Sequence, residues 1–197
     1  RGLKLPHRQP GNVPWRVLVL PAADLARGFP LSAALARSIN REVTRNMQPY
    51  VASVAAYGKA GGGEWAEGDT IRLLHLARTL DAIADDGADA FYRGWIADSI
   101  AADMARNGGL ISKEDLAQYV ARERAPIRGA YRGYDVYSMP PPSSGGIALV
   151  QMLNMMETVN LRSQPRYSAR TLHYTIEAMR RAFLDRARHL GDPDFVS

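Results

Sequence analysis

The chain has 197 residues, 46% of them hydrophobic, with no cysteine and a formal charge of +5. That length supports one sizeable core, with a single domain as the default, and the missing cysteines exclude a disulfide framework and any thiolate metal site. Of the 25 basic residues 22 are arginine, scattered among acids instead of gathered on one element, which argues against a nucleic-acid footprint.

In chain order, "RGLKLPHRQPG" shows no charged head followed by a long apolar run, which leaves open a cytoplasmic chain or a product whose address has been removed. "WRVLVLPAADLA" is cut by Pro21 and falls far short of a membrane span, so no membrane segment is expected. Residues 14–27 read as a short helix. Leu31, Leu35, Ile39 and Val43 recur every fourth residue, which predicts one face of a second helix. "AYGKAGGGEWAEGD" reads as a surface loop, because Gly61 to Gly63 lack the lysine and hydroxyl that close a Walker motif. Asp69 or Thr70 is placed to cap the next helix, whose stripe is Leu73, Leu76, Leu80 and Ile83 and whose stop is Gly87.

A further helix is predicted from Ala88 to Asn107, with Tyr92, Ile96, Ile100 and Met104 inward and Gly108 and Gly109 at its end. "SKED", Ser112 to Asp115, has the form of a capping box with aspartate in place of glutamate. "RAPIRGAYRGYDVYSM" then changes grammar and reads as a two-stranded hairpin with Gly129 and Gly133 as turn points. "IALVQMLNMMETV" is apolar almost all round, as expected of a helix buried on every side. The last long helix, about 168–190, shows Leu172, Ile176, Met179, Phe183 and Leu190 on one face, with Glu177/Arg181 and Arg181/Asp185 pairs elsewhere.

Between hairpin and helix lies "SMPPPSSGG", Ser138 to Gly146. A serine nucleophile at Ser143 or Ser144 would sit in Gly-x-Ser-x-Gly, but prolines occupy the upstream side, and nothing ties His173 or His189 to either serine. An anion site at the helix start lacks a basic residue anywhere from Tyr134 to Leu161. A mechanical reading uses every residue: Pro140 to Pro142 hold the chain extended, a serine caps the helix, and Gly145 and Gly146 permit close approach. His173 with Glu177, and Asp192 with Asp194, each offer two metal ligands, too few for a site.

"YRGYDVYSMPPPSSGGIALVQMLNMME" and "HYTIEAMRRAFLDRARHLGDPDFV" resemble the later part of the large subunit of γ-glutamyltransferases, also called γ-glutamyltranspeptidases. "GDTIRLLHLARTLDAIADDGADAFYRGWIADSIAADMARNGGLISKEDLAQY" and "PWRVLVLPAADLARGFPLSAAL" resemble the parts before it, in the same order. The resemblance implies an α+β N-terminal nucleophile (Ntn) hydrolase fold, an αββα sandwich, of which this chain is a mainly helical portion with a short β-hairpin. It implies a precursor that cuts itself and a threonine at the start of the small subunit that attacks the γ-glutamyl carbonyl, with its own α-amine as base. The implied donor is glutathione or a related amide and the acceptor water or an amino acid. No cofactor, metal or nucleic acid is called for.

Carried over position by position, the resemblance places no catalytic or substrate-binding residue in this chain. None of Thr44, Thr70, Thr79, Thr158, Thr171 or Thr175 has the setting of the nucleophile. Residues 1–197 are therefore expected to be an internal piece of the large subunit, incomplete without its N-terminal segment and the small subunit. Pro140, Pro141, Pro142, Ser143, Ser144, Gly145 and Gly146 are expected to form a structural arm near the subunit junction. Two alternatives stand: a related acylase acting on glutaryl or cephalosporin side chains, and a non-catalytic scaffold fragment. Family analogy alone suggests a periplasmic or extracellular location.

Overall fold

A computed structural model describes residues 2–8 and 11–196. Spatial proximity along the chain divides it into two compact units, Arg1–Ala121 and Arg122–Ser197.

The first unit begins with α1 (Lys4–Arg8) and α2 (Trp15–Arg27). α2 matches the expected helix and accommodates Pro21 on an exposed side. β1 (Phe29–Pro30), α3 (Ala33–Arg45), α4 (Val51–Tyr57) and β2 (Thr70–Ile71) follow. β1 and β2 pair antiparallel, Phe29 opposite Ile71 and Pro30 opposite Thr70. This pairing overturns the expected cap at Asp69 or Thr70, since Thr70 lies in a strand and α5 (Leu74–Asp86) starts after Leu73 with no side-chain cap. The inward face of α3 also differs from the fourfold repeat. Ser32 caps it by accepting from Leu35 N–H, Leu35 faces outward, and the core forms from Leu31, Ala36 and Ile71 with Phe29, Ile39, Trp65 and Leu73 against it.

α2 lies along α5, and the buried residues of both are alanines: Ala23 and Ala26 on one, Ala77 and Ala84 on the other. Such small residues let two helix axes approach closely. Trp15 Nε1 donates to the Ile83 carbonyl at 2.8 Å, and Arg27 reaches Asp81 at 2.7 Å. Gly87 takes φ 71° as anticipated, but with ψ −157°, outside the left-handed helical basin. The single helix expected over 88–107 is two, α6 (Ala88–Tyr92) and α7 (Trp95–Asn107), parted at Arg93 and Gly94. Gly108 ends α7 in the left-handed conformation, φ 71° and ψ 23°. α8 (Lys113–Gln118) opens on the capping box read from "SKED": Ser112 Oγ accepts from Asp115 N–H, and Asp115 Oδ2 accepts from Ser112 N–H.

The second unit opens on the hairpin, β3 (Ile127–Tyr131) and β4 (Tyr134–Ser138), in register from Ile127 opposite Ser138 to Tyr131 opposite Tyr134. Its loop is Arg132 and Gly133, φ 49° and 86°, the positive pair that a two-residue hairpin turn requires. Gly129 is no turn point. It lies inside β3, where an added Cβ would stand 2.6 Å from Val150 Cγ1, so its role is to let α9 (Gly145–Glu157) approach the strand. α9 is not buried all round: Gly146 and Ala148 are buried, while Leu149 is exposed. After a 3₁₀ turn at Leu161–Ser163, α10 (Ala169–His189) packs on α9 through the face that buries Ala178 and Ala182. Ser168 caps α10 by accepting from Thr171 N–H. Of the apolar stripe read from the sequence, Leu172, Ile176, Met179 and Phe183 are exposed and Leu190, just past the helix end, is half-buried. The expected Arg181 pairs are replaced by Arg180 with Glu177 and by Gln151 with Asp185.

Candidate functional site

The segment from Ser138 to Gly146 leaves β4 and enters α9 within a few residues, and its residues set that path. The prolines do not run extended. Pro141–Pro142 is a cis peptide bond, and Ser143 N–H donates back to the Pro140 carbonyl at 3.1 Å, closing a turn. Gly146 then sits so close to the end of β4 that a Cβ would lie 2.2 Å from the Met139 carbonyl oxygen. The expected close approach therefore holds at Gly146, whereas at Gly145 the nearest atom to an added Cβ is Ser143 Oγ at 3.9 Å.

Ser144 stands at the helix N-cap position but in the helical region, φ −79° and ψ −17°, and makes no capping bond. Its Oγ instead accepts from Arg186 Nε of α10 at 2.8 Å. A guanidinium donates and cannot take a proton at neutral pH, so this contact positions Ser144 without activating it. Next to it in sequence, Asp185 accepts from Gln151 Nε2 at 2.5 Å, so consecutive residues of α10 hold the turn before α9 and the body of α9. These links join residues far apart in sequence, and no local pattern signals them.

The second unit carries two grooves, the first of them lined by this segment. One, about 780 Å³, runs beside Arg122, Arg124, Tyr137 and the three prolines. Arg124 is held by Asp194 at 2.7 Å and Asp192 at 3.6 Å, so the two aspartates of "DPD" serve an ion pair and a turn, with Asp194 N–H donating to Asp192 Oδ1. The other, about 540 Å³, lies among β3, α9 and α10, with Asn154, Asp185 and His189 on its walls.

The remaining candidates fall outside any joint arrangement. Glu177 is engaged by Arg180 at 2.7 Å, and that hydrogen-bonded guanidinium holds its carboxyl below the usual range; His173 packs beside Tyr174. Gly61, Gly62 and Gly63 all have positive φ, but the nearby Lys59 is engaged by Asp69 at 2.6 Å and by the Glu64 carbonyl and does not serve these glycines as a phosphate-loop lysine. The hydroxyls of Thr44, Thr79, Thr158, Thr171 and Thr175 each donate to a main-chain carbonyl of their own neighbourhood. Among the described residues no group of three or more His, Asp or Glu side chains is arranged to hold a metal ion, and no helix is long and apolar enough to cross a membrane.

The family model for gamma-glutamyltranspeptidase matches residues 1–197. Among curated proteins the chain is 46% identical over 187 residues to the glutathione hydrolase proenzyme of Escherichia coli (strain K12), covering 94% of this chain and 32% of that protein. It is 39% identical over 196 residues to the glutathione hydrolase proenzyme of Pseudomonas sp. (strain A14), covering 99% and 34%. Among solved structures, the Helicobacter pylori gamma-glutamyltranspeptidase superposes with a TM-score of 0.91 at 40% identity, over 97% of this chain and 55% of that one. The chain thus spans about a third of the length of these curated relatives.

Proposed function

This chain belongs to the gamma-glutamyltranspeptidase family, and from that premise we propose that it is an internal portion of the large subunit of an enzyme that transfers or hydrolyses the γ-glutamyl group of glutathione and related amides. The nucleophile in this reading is a threonine at the start of a small subunit cut from the same precursor. Its hydroxyl adds to the γ-carbonyl while its α-amine takes the proton, and the amine leaving group departs protonated, which leaves a γ-glutamyl ester on the threonine. Water then releases glutamate, or the amine of an amino acid takes the acyl group. Backbone N–H groups of the small subunit stabilise the oxyanion in both steps. The contribution of residues 1–197 is scaffolding, with the arm from Pro140 to Gly146 placed near the subunit junction and braced by Arg186. A periplasmic or extracellular location goes with the same reading.

The observation that carries this proposal is the unbroken family match over residues 1–197. It is consistent with side-chain chemistry in which the candidate serine is held by a guanidinium and the hydroxyls of Thr44, Thr79, Thr158, Thr171 and Thr175 are spent on main-chain carbonyls. The test is a pair of chromogenic amides offered to the full-length processed protein, γ-glutamyl-p-nitroanilide and glutaryl-p-nitroanilide, which differ by the α-amine. Turnover of the γ-glutamyl compound, raised by an added dipeptide acceptor, is the expected result. Preference for the glutaryl compound would move the protein to the acylases.

A further inference from the structure

One end of the second unit gathers positive charge that the protein leaves unmatched. From Thr158 to Ile176 there is no acidic residue, while Arg162, Arg166 and Arg170 recur every fourth position. Arg132 of the hairpin turn donates its main-chain N–H to Glu157 at 2.7 Å and its guanidinium to the Val159 carbonyl at 3.1 Å, which ties the hairpin tip to the exit of α9. The 3₁₀ turn at Leu161–Ser163 starts there, and Thr171 Oγ1 donates to the Pro165 carbonyl at 3.2 Å, which folds the first turn of α10 onto the same loop. Arg162, Arg166 and Arg170 therefore share one end of the unit with the hairpin tip.

All three are exposed, and among the described residues none of them meets a carboxylate. Elsewhere the guanidiniums of Arg16, Arg27, Arg128 and Arg180 lean on neighbouring acids. Arg166 and Arg170 are instead laid over tyrosines, 5.1 Å from the Tyr167 ring centroid and 5.7 Å from that of Tyr174. A guanidinium held over a ring keeps its charge and its N–H edge for a further acceptor. Tyr167 is 71% exposed, and Tyr134, which follows the hairpin turn, is 75% exposed.

We infer that this end of the second unit, through Arg162, Arg166 and Arg170 with Tyr134 and Tyr167, docks reversibly on the surface of an anionic phospholipid bilayer. Charge complementarity selects that partner: free guanidinium edges match lipid phosphates, and each basic residue near such a surface adds a modest favourable increment. Exposed tyrosines suit the headgroup level, where the ring meets the apolar boundary and the hydroxyl meets water. The shape agrees, because these residues line neither groove of the unit and a planar surface needs no groove. A single-stranded nucleic acid stacks its bases on open aromatic faces, whereas Tyr167 and Tyr174 each carry a guanidinium over one. No step of the reaction proposed above enters this contact.

The test is sedimentation of the full-length processed protein with vesicles of phosphatidylcholine and phosphatidylglycerol at about 7:3, against vesicles of phosphatidylcholine alone. Binding to the mixed vesicles is expected, absent from the neutral ones and lost in about 1 M salt. Arg162→Gln/Arg166→Gln/Arg170→Gln should weaken it at least about tenfold. Arg16→Gln/Arg41→Gln/Arg106→Gln, which removes the same charge from exposed sites of the first unit, should leave it within about twofold. Arg162→Gln/Arg166→Gln, which leaves α10 untouched, serves if the first triple variant does not fold. Equal losses in the two triple variants would mean net charge alone and would overturn the inference. So would no binding at all, or binding that ignores either the three arginines or the lipid charge. A labelled oligonucleotide bound through the same arginines, with no vesicle binding, would also overturn it and move the surface to nucleic acid.

Discussion

Asp69 closes the loop between α4 and β2 through one atom, Oδ2, which accepts from Lys59 Nζ at 2.6 Å and from Ala66 N–H at 2.8 Å. The Lys59 bond first, and the Ala66 bond second, hold its carboxyl below the usual aspartate range. A carboxyl with a folded pKa below its unfolded one adds stability that is complete above the unfolded value and is lost as pH falls through the folded value. The difference in thermal midpoint between the natural chain and Asp69→Asn should therefore be open at neutral pH and close below the carboxylate range. A difference that ignores pH would contradict the assignment. The sequence marked Asp69 as polar punctuation before a helix, which is what capping grammar predicts. It missed the actual role because Thr70 and Ile71 pair with Phe29 and Pro30, and a pairing between distant residues leaves no local trace. Asn40 was invisible for the same reason, although its amide brackets Trp65, donating to the carbonyl and accepting from the N–H, both at 2.9 Å.

Among the elements, the joint between β4 and α9 is fixed by a contact of main chain on main chain. Gly146→Ala puts a methyl 2.2 Å from the Met139 carbonyl oxygen, and since that atom belongs to the backbone, α9 must shift off the strand end. The cost expected is about 1–3 kcal/mol, as for other overpacked sites. Gly145→Ala, which meets only Ser143 Oγ at 3.9 Å, should lie within about 0.5 kcal/mol of the natural chain. Urea melts of both variants check this, and equal stabilities would refute the role given to Gly146. Helix positions were largely legible, because α2, α5, α7 and α10 announce themselves by period and the α8 capping box by composition. Breaks were less so. The pause at Arg93 and Gly94 divides a run that keeps helical spacing, and the seven-residue α4 has no side-chain cap to advertise it. In α10 the stripe was legible as an apolar face, but periodicity reveals such a face without showing whether it is covered.

Across the whole molecule the burial is lopsided. Leu31 is the one large side chain among the described residues that is fully buried, and most of the remaining core is alanine, whereas Val17, Leu25, Leu76, Ile176 and Phe183 are all exposed. Isolated exposed apolar residues are ordinary, whereas Leu172, Ile176, Met179 and Phe183 form a continuous exposed row on one helix. The chain belongs to the gamma-glutamyltranspeptidase family and spans about a third of the length of its curated relatives. The family was legible because long motifs such as "SMPPPSSGG" carry it, while the geometry of the same motif was not: prolines read as an extended strut form a cis-proline turn. The most direct test of a scaffold serving chemistry performed elsewhere is release of p-nitroaniline from γ-glutamyl-p-nitroanilide by residues 1–197 purified alone, against the same chain co-expressed with the rest of its precursor. The account predicts activity from the paired protein and none above buffer from the chain alone; turnover by the isolated chain would contradict it.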